Sequence, residues 1–352
     1  MQDGRTYAPS SLRMARSTVA FSFAVIGLSH GHVYALAEAL LDSGADILGV
    51  WDEDPDKVAD FIRAFPQARF RDFREILSDT SLDMIVNCVR PDARAAMTVR
   101  ALGAGKHVFS DKPGFLSLEE SDAIEKAMKD SGLNYYIYFS EAFHSPGCIL
   151  AQRLIDEGRL GKVLHYTAFS PHRLNELTRP SWFFDSRING DVLLDLGCHL
   201  AQQFLSFTHS QDARILMSRL ANHCHGDKPN FLDSGEALLE APDGATGYLQ
   251  VDWFTPDGLG SWGDCRAFVT GSKASLEIRK YIDVAREAEG DHVYLVDGDG
   301  EHLINAASCT QIDFFARAME DCKSHEHKAI DGLACLRAMK LAARISSAAS
   351  KK

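Results

Sequence analysis

The sequence contains no C-x-x-C pair. Its eight cysteines, at 88, 148, 198, 224, 265, 309, 322 and 335, are scattered along the chain. Such scatter fits reduced thiols in a cytoplasmic protein and argues against a disulfide framework. No apolar run reaches the ~18 residues that span a bilayer. The first twenty residues, "MQDGRTYAPSSLRMARSTVA", lack the apolar core of a signal peptide. There is no basic run, and the formal net charge of -12 excludes a surface built to bind nucleic acid. Internal repeats and low-complexity segments are also missing.

What is present is an ordinary globular composition, 45% hydrophobic and 24% charged over 352 residues, long enough for two domains. From 20 to about 140, apolar β-rich runs alternate with helical patterns. "AFSFAVIG", "ADILGVW", "LDMIVNCV", "KHVFS" and "NYYIYF" are the strands. Helices are expected over 31–43, from Asp54 as N-cap with Pro55 at the first position, over 91–102 and over 117–131. Continuous apolar strands joined by helical crossovers specify a doubly wound parallel sheet. After about 145 a helix, "GCILAQRLIDEG", precedes a succession of β-like stretches from "KVLHYTAFS" to "HVYLVD", separated by turn signals. This is the pattern of an α+β domain with an antiparallel sheet. "DWFTPDGLGSWGDCR" is expected to form a hairpin, and helical patterns close the chain at 309–323 and 332–348.

Residues 22–40, "FAVIGLSHGHVYALAEAL" with the preceding Ser22, have the strand–turn–helix form of a dinucleotide fingerprint. Gly27, Ser29 and His32 stand where G-x-G-x-x-G has glycines, and Gly31 adjoins His32. Gly27 keeps the turn-forming role, and Ser29 is small enough for close approach of phosphates. His30 and His32 have no evident task, and a plain βα turn is an equal reading of this loop alone. Asp52 ends the next strand about 25 residues after Gly27, near the spacing for a carboxylate that accepts from an adenosine ribose. Asp52, Glu53 and Asp54 would repel a 2′-phosphate, which favours NAD over NADP; a helix-capping carboxylate is the bland alternative.

"GKHVFSDKPG" carries Asp111-Lys112-Pro113, and "GDVLLDLGCHLAQQF" carries Asp195 and His199 four residues apart, with Gly197 near a helix start. Lysine, aspartate and histidine suit alcohol oxidation: a proton shuttle, a cation at the oxygen and a carboxylate that orients the base. Each also has an ordinary structural reading. Taken together, the fingerprint, Asp52, "VRPD", "AGKHVFSDKP", "WFFD" and "GDVLLDLGCH" resemble the glucose–fructose oxidoreductase / inositol dehydrogenase / MocA (Gfo/Idh/MocA) family along nearly the whole chain.

The resemblance implies an N-terminal Rossmann domain over 20–143, after a loose arm at 1–19 for which Met14 is an alternative start. It implies an α+β substrate and dimerisation domain over 144–352 with a large, mostly antiparallel sheet, its last helices able to pack back on the first domain. The assembly would be a homodimer or homotetramer through that sheet. The activity implied is NAD-dependent hydride transfer to or from a secondary alcohol of a sugar, inositol or polyol. Lys112 would lie at the nicotinamide and substrate oxygen, His199 would be the general acid/base, and Asp195 its partner. Gly27, Ser29, His30, Gly31, His32, Asp52, Arg90, Pro91, Asp111 and Lys112 would line the cofactor site, with Arg173 and Trp182 as substrate neighbours. The family's Glu-Lys-Pro is Asp111-Lys112-Pro113 here, Ala95 replaces a common histidine, and Ala142 precedes Phe143 where an arginine is common. A non-catalytic sensor, and a lyase or hydrolase using bound NAD for transient oxidation, are the other readings. His223-Cys224-His225 and His325-Glu326-His327 could suggest a metal, but two ligands do not complete a site, and none is expected. Trp253 and Trp262 are candidates for dimer packing.

Overall fold

A computed structural model of the chain describes residues 13–284, 286, 290–324 and 330–351. It consists of two compact units. The first runs to Tyr138 and takes in Gln311–Leu336; the second is Phe139–Thr310 with the chain from Arg337 onward. The division thus falls five residues before the expected 143/144 boundary.

The first unit carries β1 (Arg13–Met14), β2 (Ser22–Ile26), β3 (Asp46–Trp51), β4 (Met84–Asn87), β5 (His107–Ser110) and β6 (Tyr135–Ile137). Strands β2 to β6 form a five-stranded sheet in the order β3-β2-β4-β5-β6, every pairing parallel. Crossovers use α1 (His32–Asp42), α2 (Pro55–Ala64), α3 (Phe73–Ser78), α4 (Pro91–Gly103) and α5 (Leu118–Ser131). Asp54 caps α2 by accepting from Asp56 N–H at 3.0 Å and Lys57 N–H at 3.3 Å. The strand order reverses between β2 and β4, so their carboxyl ends border the crevice where such sheets bind ligands. The expected loose arm is corrected from Arg13 on. Arg13–Met14 pairs in parallel with Gln311–Ile312, and Thr18 N–H donates to Glu320 at 3.1 Å.

The second unit opens with α6 (Ser140–Phe143), α7 (Pro146–Asp156) and β7 (Val163–Pro171). Three short helices follow: α8 (Ser186–Asn189), α9 (Val192–Asp195) and α10 (Gly197–Phe207). Then come β8 (Arg214–Ala221), β9 (Ser234–Glu240), β10 (Thr246–Asp252), β11 (Arg266–Gly271), β12 (Ser275–Arg279), β13 (His292–Asp297) and β14 (Gly300–Asn305). These strands and Ser350–Lys351 make a nine-stranded sheet, β14-β13-β12-β11-β7-β10-β9-β8-350/351. It is antiparallel except at β7/β10 and at the last strand with β8. The expected hairpin between β10 and β11 is therefore wrong: β7 lies between them, and residues 253–265 cross over it. Alternation on β9 and β10 buries one face under α9 and α10. Gly235 lets α9 seat closely, since a Cβ there would stand 2.7 Å from Leu193 Cγ. The opposite face shows Phe169, Tyr248 and a half-exposed Phe268, with Phe169 within 6.5 Å of both rings. No helix among the described residues is long and apolar enough to cross a membrane.

Under the helices lies an ion pair with no exposed surface. Lys280 Nζ donates to Glu141 Oε2 at 2.6 Å and to Gln203 Oε1 at 3.1 Å. Gln203 Nε2 and Ser170 Oγ complete the Glu141 shell at 3.0 and 2.9 Å. Burial alone would raise the Glu141 carboxyl; the Lys280 charge, joined by His199 and His172, outweighs it and holds the group far below its usual 4.5. A carboxylate depressed on folding contributes stability above its unfolded value and loses that contribution as pH falls. Lys280→Met leaves the carboxylate buried without its cation, and its unfolding free energy should fall by about 3–5 kcal/mol at neutral pH. Urea denaturation at several pH values should show the gap to wild type shrinking below 4.5.

Candidate active site

Every residue expected at the cofactor lies at the carboxyl edge of the five-stranded sheet. Gly27 follows β2 with φ +84°, and a Cβ there would meet Val89 Cα and N at 2.4 Å. Only glycine fits both the left-handed backbone and that approach. Ser29 N–H donates to Cys88 O at 3.2 Å, so the loop after β2 leans on the loop after β4. Gly31 is the N-cap of α1, and His32 its first residue. Asp52, just beyond β3, accepts from Leu28 N–H at 2.5 Å through Oδ2 and from Asp54 N–H at 2.9 Å through Oδ1. A carboxylate has about four acceptor positions, so Asp52 shapes the loop and retains capacity for a diol.

A buried arginine that the sequence reading did not single out organises this edge. Arg94, on α4 and 1% exposed, donates from Nε to Val89 O at 2.8 Å. Its Nη1 reaches Lys112 O at 2.5 Å and Pro113 O at 3.1 Å, and Nη2 reaches Asp111 Oδ2 at 3.1 Å. Asp111 Oδ1 contacts His32 Nδ1 at 2.8 Å and accepts from Lys112 N–H at 2.8 Å. Burial would raise the Asp111 carboxyl, but His32 and Arg94 pull it far below the ordinary aspartate range. Lys112, which precedes a cis proline, is itself buried. The detectable signal for Arg94 is its place on the buried stripe of α4, with Pro91, Ala95, Thr98, Ala101 and Leu102. Arg90, by contrast, is half exposed and forks onto Asp92 at 2.7 and 2.8 Å.

Ligand atoms of His30, His32 and Asp111 lie within 4.8 Å of one another, a grouping hidden by their sequence separation. A dication there would stand against the Arg94 guanidinium, and the Asp111 oxygens already serve three hydrogen bonds. The clusters that the sequence suggested behave differently. His223, Cys224 and His225 follow β8 in a turn, not on a strand. All three hold Asp233: two by backbone N–H at 2.9 and 2.8 Å, the third by His225 Nδ1 at 2.8 Å. His325-Glu326-His327 lies outside the described residues.

In the second unit, Asp191 caps α9 by accepting from Leu193 and Leu194 N–H at 2.9 and 3.2 Å and from Ser346 Oγ at 2.5 Å. Asp195 ends α9, Leu196 breaks the helix, and His199 falls in the first turn of α10. Both side chains are buried, and the His199 ring stands edge-on to Phe139 at 6.0 Å. Gln203, one turn beyond His199, belongs to the Glu141–Lys280 network. Arg173 Nη2 donates to Pro256, Leu259 and Ser261 carbonyls at 3.2, 2.5 and 2.9 Å, pinning the crossover after β10. Trp182 is half buried in a 3-10 turn. Trp253 and Trp262 pack inside this unit, Trp253 on Phe183 at 5.4 Å and Trp262 on His172 at 4.2 Å, rather than on the open sheet face.

The Gly27 geometry has a direct consequence. Gly27→Ala combines a left-handed alanine, worth ~1–2 kcal/mol, with a backbone clash, so the melting midpoint should fall by at least about 3 °C. Differential scanning calorimetry of the two proteins measures it.

Comparison with known proteins agrees with this geometry. Residues 21–139 match the family described as "Oxidoreductase family, NAD-binding Rossmann fold", and residues 149–277 match the "GFO/IDH/MocA C-terminal domain". The scyllo-inositol 2-dehydrogenase (NAD(+)) of Bacillus subtilis (strain 168) is 25% identical over 313 residues, 86% of each chain. The scyllo-inositol 2-dehydrogenase (NADP(+)) of the same organism is 25% identical over 144 residues, 41% of this chain and 40% of its own. A crystal structure from Erwinia carotovora atroseptica SCRI1043 superposes with a TM-score of 0.91 at 37% identity, covering 94% of this chain and 99% of that one. The chain belongs to the Gfo/Idh/MocA oxidoreductase family.

Proposed function

We propose that the protein is an NAD-dependent oxidoreductase acting on a secondary alcohol of a sugar, inositol or related polyol. The observation that carries this reading is the Lys112 loop, fixed by Arg94 and Asp111 at the carboxyl end of β5, one strand from the switch point between β2 and β4. NAD, when bound, accepts or returns the hydride. Gly27, Ser29 and the start of α1 would hold its phosphates, and Asp52 its ribose. NAD is preferred to NADP because Asp52, Glu53 and Asp54 are all acidic and Arg90 is committed to Asp92. In the oxidative direction His199 accepts the hydroxyl proton, Asp195 orients His199 or the substrate, and Lys112 stabilises the alkoxide. Burial of all three side chains supports the reading, since charges act strongly where water is excluded. Arg173 and Trp182 are proposed as substrate neighbours. The reduced cysteines suit the cytoplasm.

A panel of inositols and aldoses with NAD should yield NADH at 340 nm (absorbance of the reduced nicotinamide). Lys112→Ala and His199→Ala should each lower kcat/KM by about 100-fold or more. Unchanged turnover in both variants sinks the assignment, and turnover without release of NADH points to transient oxidation.

We further propose that the open face of the nine-stranded sheet joins two copies of the chain, because it presents Phe169, Tyr248 and Phe268 among charged neighbours. Light scattering coupled to gel filtration should give at least a dimer for wild type and a smaller species for Phe268→Asp.

A further inference from the structure

Two departures from the usual sequence pattern meet in space. His32 stands at the third glycine of the fingerprint, and Asp111 at the glutamate before Lys-Pro. Their side chains are 4% and 1% exposed, with His32 Nδ1 and Asp111 Oδ1 2.8 Å apart. We infer that His32 and Asp111 are a matched pair of positioning residues that couple the dinucleotide loop to the placement of Lys112. The inference rests on the dinucleotide reading proposed above.

Lys112 is gripped at both ends of its own peptide units. Its N–H donates to Asp111 Oδ1 at 2.8 Å, and its carbonyl accepts from Arg94 Nη1 at 2.5 Å. Arg94 also holds Asp111 Oδ2 at 3.1 Å, so both grips run through one carboxylate. The same carboxylate meets His32 at Oδ1 and, at 4.0 Å, His30 Nδ1 at Oδ2, and both histidines belong to the loop turning at Gly27. His30 packs edge-on against His32 with ring centroids 4.1 Å apart, and its Nδ1 accepts from His32 N–H at 3.2 Å. Tyr138 lies 5.9 Å from the imidazole. Displacing the loop after β2 therefore moves the contact that sets the Asp111 carboxylate, and with it the Lys112 backbone.

Size makes the pair specific. A glutamate at 111 would advance the carboxylate by about one C–C bond, ~1.5 Å, toward an imidazole already at hydrogen-bond distance. A buried site has no slack for that. Glycine at 32 with glutamate at 111 fills the same space by the opposite division of volume. Histidine with aspartate is a second solution, and it adds a hydrogen bond across the two loops that a glycine lacks.

The test is a double-mutant cycle on NADH affinity, measured by fluorescence, together with the Lys112 amide signal in protein labelled with 15N-lysine and assigned through Lys112→Arg. Asp111→Glu and His32→Gly should each weaken NADH binding about tenfold, and the double variant should return to within about threefold of wild type. His32→Asn, whose amide nitrogen lies where the imidazole Nδ1 lies, should bind NADH better than His32→Gly. NADH should shift the Lys112 amide in wild type and not in His32→Gly, a signature that a merely structural contact would not produce. If Asp111→Glu does not fold, recovery of folded, NADH-binding protein on adding His32→Gly is the same rescue. Additive effects, an unrescued double variant, or a Lys112 amide that shifts equally in His32→Gly overturn the pairing. Wild type that binds no NADH overturns the dinucleotide reading itself.

Discussion

The first unit's site depends on the buried guanidinium of Arg94. It satisfies carbonyls at the ends of two different strands, Val89 after β4 and Lys112 and Pro113 after β5, and it neutralises Asp111. A buried carboxylate is costly unless paired and hydrogen-bonded; Asp111 is both. The planar fork matters, because a lysine in its place would offer one point charge rather than donors in three directions. With Arg94 in position, the loops after β2, β4 and β5 become one rigid edge, and the Lys112 side chain is presented from a fixed backbone.

The second unit solves a similar problem with another charge pair. Glu141 and Lys280 sit under the helix that carries His199, and Gln203 of that helix closes the network. His199 and His172 both contribute to holding Glu141 ionised. Each unit thus buries an ion pair, Arg94–Asp111 in the first and Lys280–Glu141 in the second.

Much of this was legible in the chain. The period of the apolar residues marked all five strands of the parallel sheet and four of its helices, because continuous burial and helical crossovers leave a strong pattern. Asp54 as a cap and Gly27 as the turn were equally readable, whereas β14 and the strand at 350–351 left no pattern of their own. The crossover after β10 was misread as a hairpin because turn residues such as Pro-Asp-Gly mark a bend without saying which strand lies beside it. Asp52 also holds Leu28 and Asp54 by their backbone N–H groups, contacts that the spacing after Gly27 does not reveal. Arg173, expected beside the substrate, donates from Nη2 to three carbonyls of the loop after β10, contacts that no short motif announces.

The sequence by itself determined the class of sheet, the order of its elements and the residue types available for chemistry, since these follow from local periodicity and short motifs. Only the tertiary structure decided which of those residues touch. His32 and Asp111 are 79 positions apart, and Arg94 reaches its aspartate across 17. No local pattern encodes such distances, because a contact made by chain folding leaves no period behind it. The loop that read as an eroded fingerprint is an intact turn at Gly27, with its unexpected histidine paired to an aspartate from another strand end.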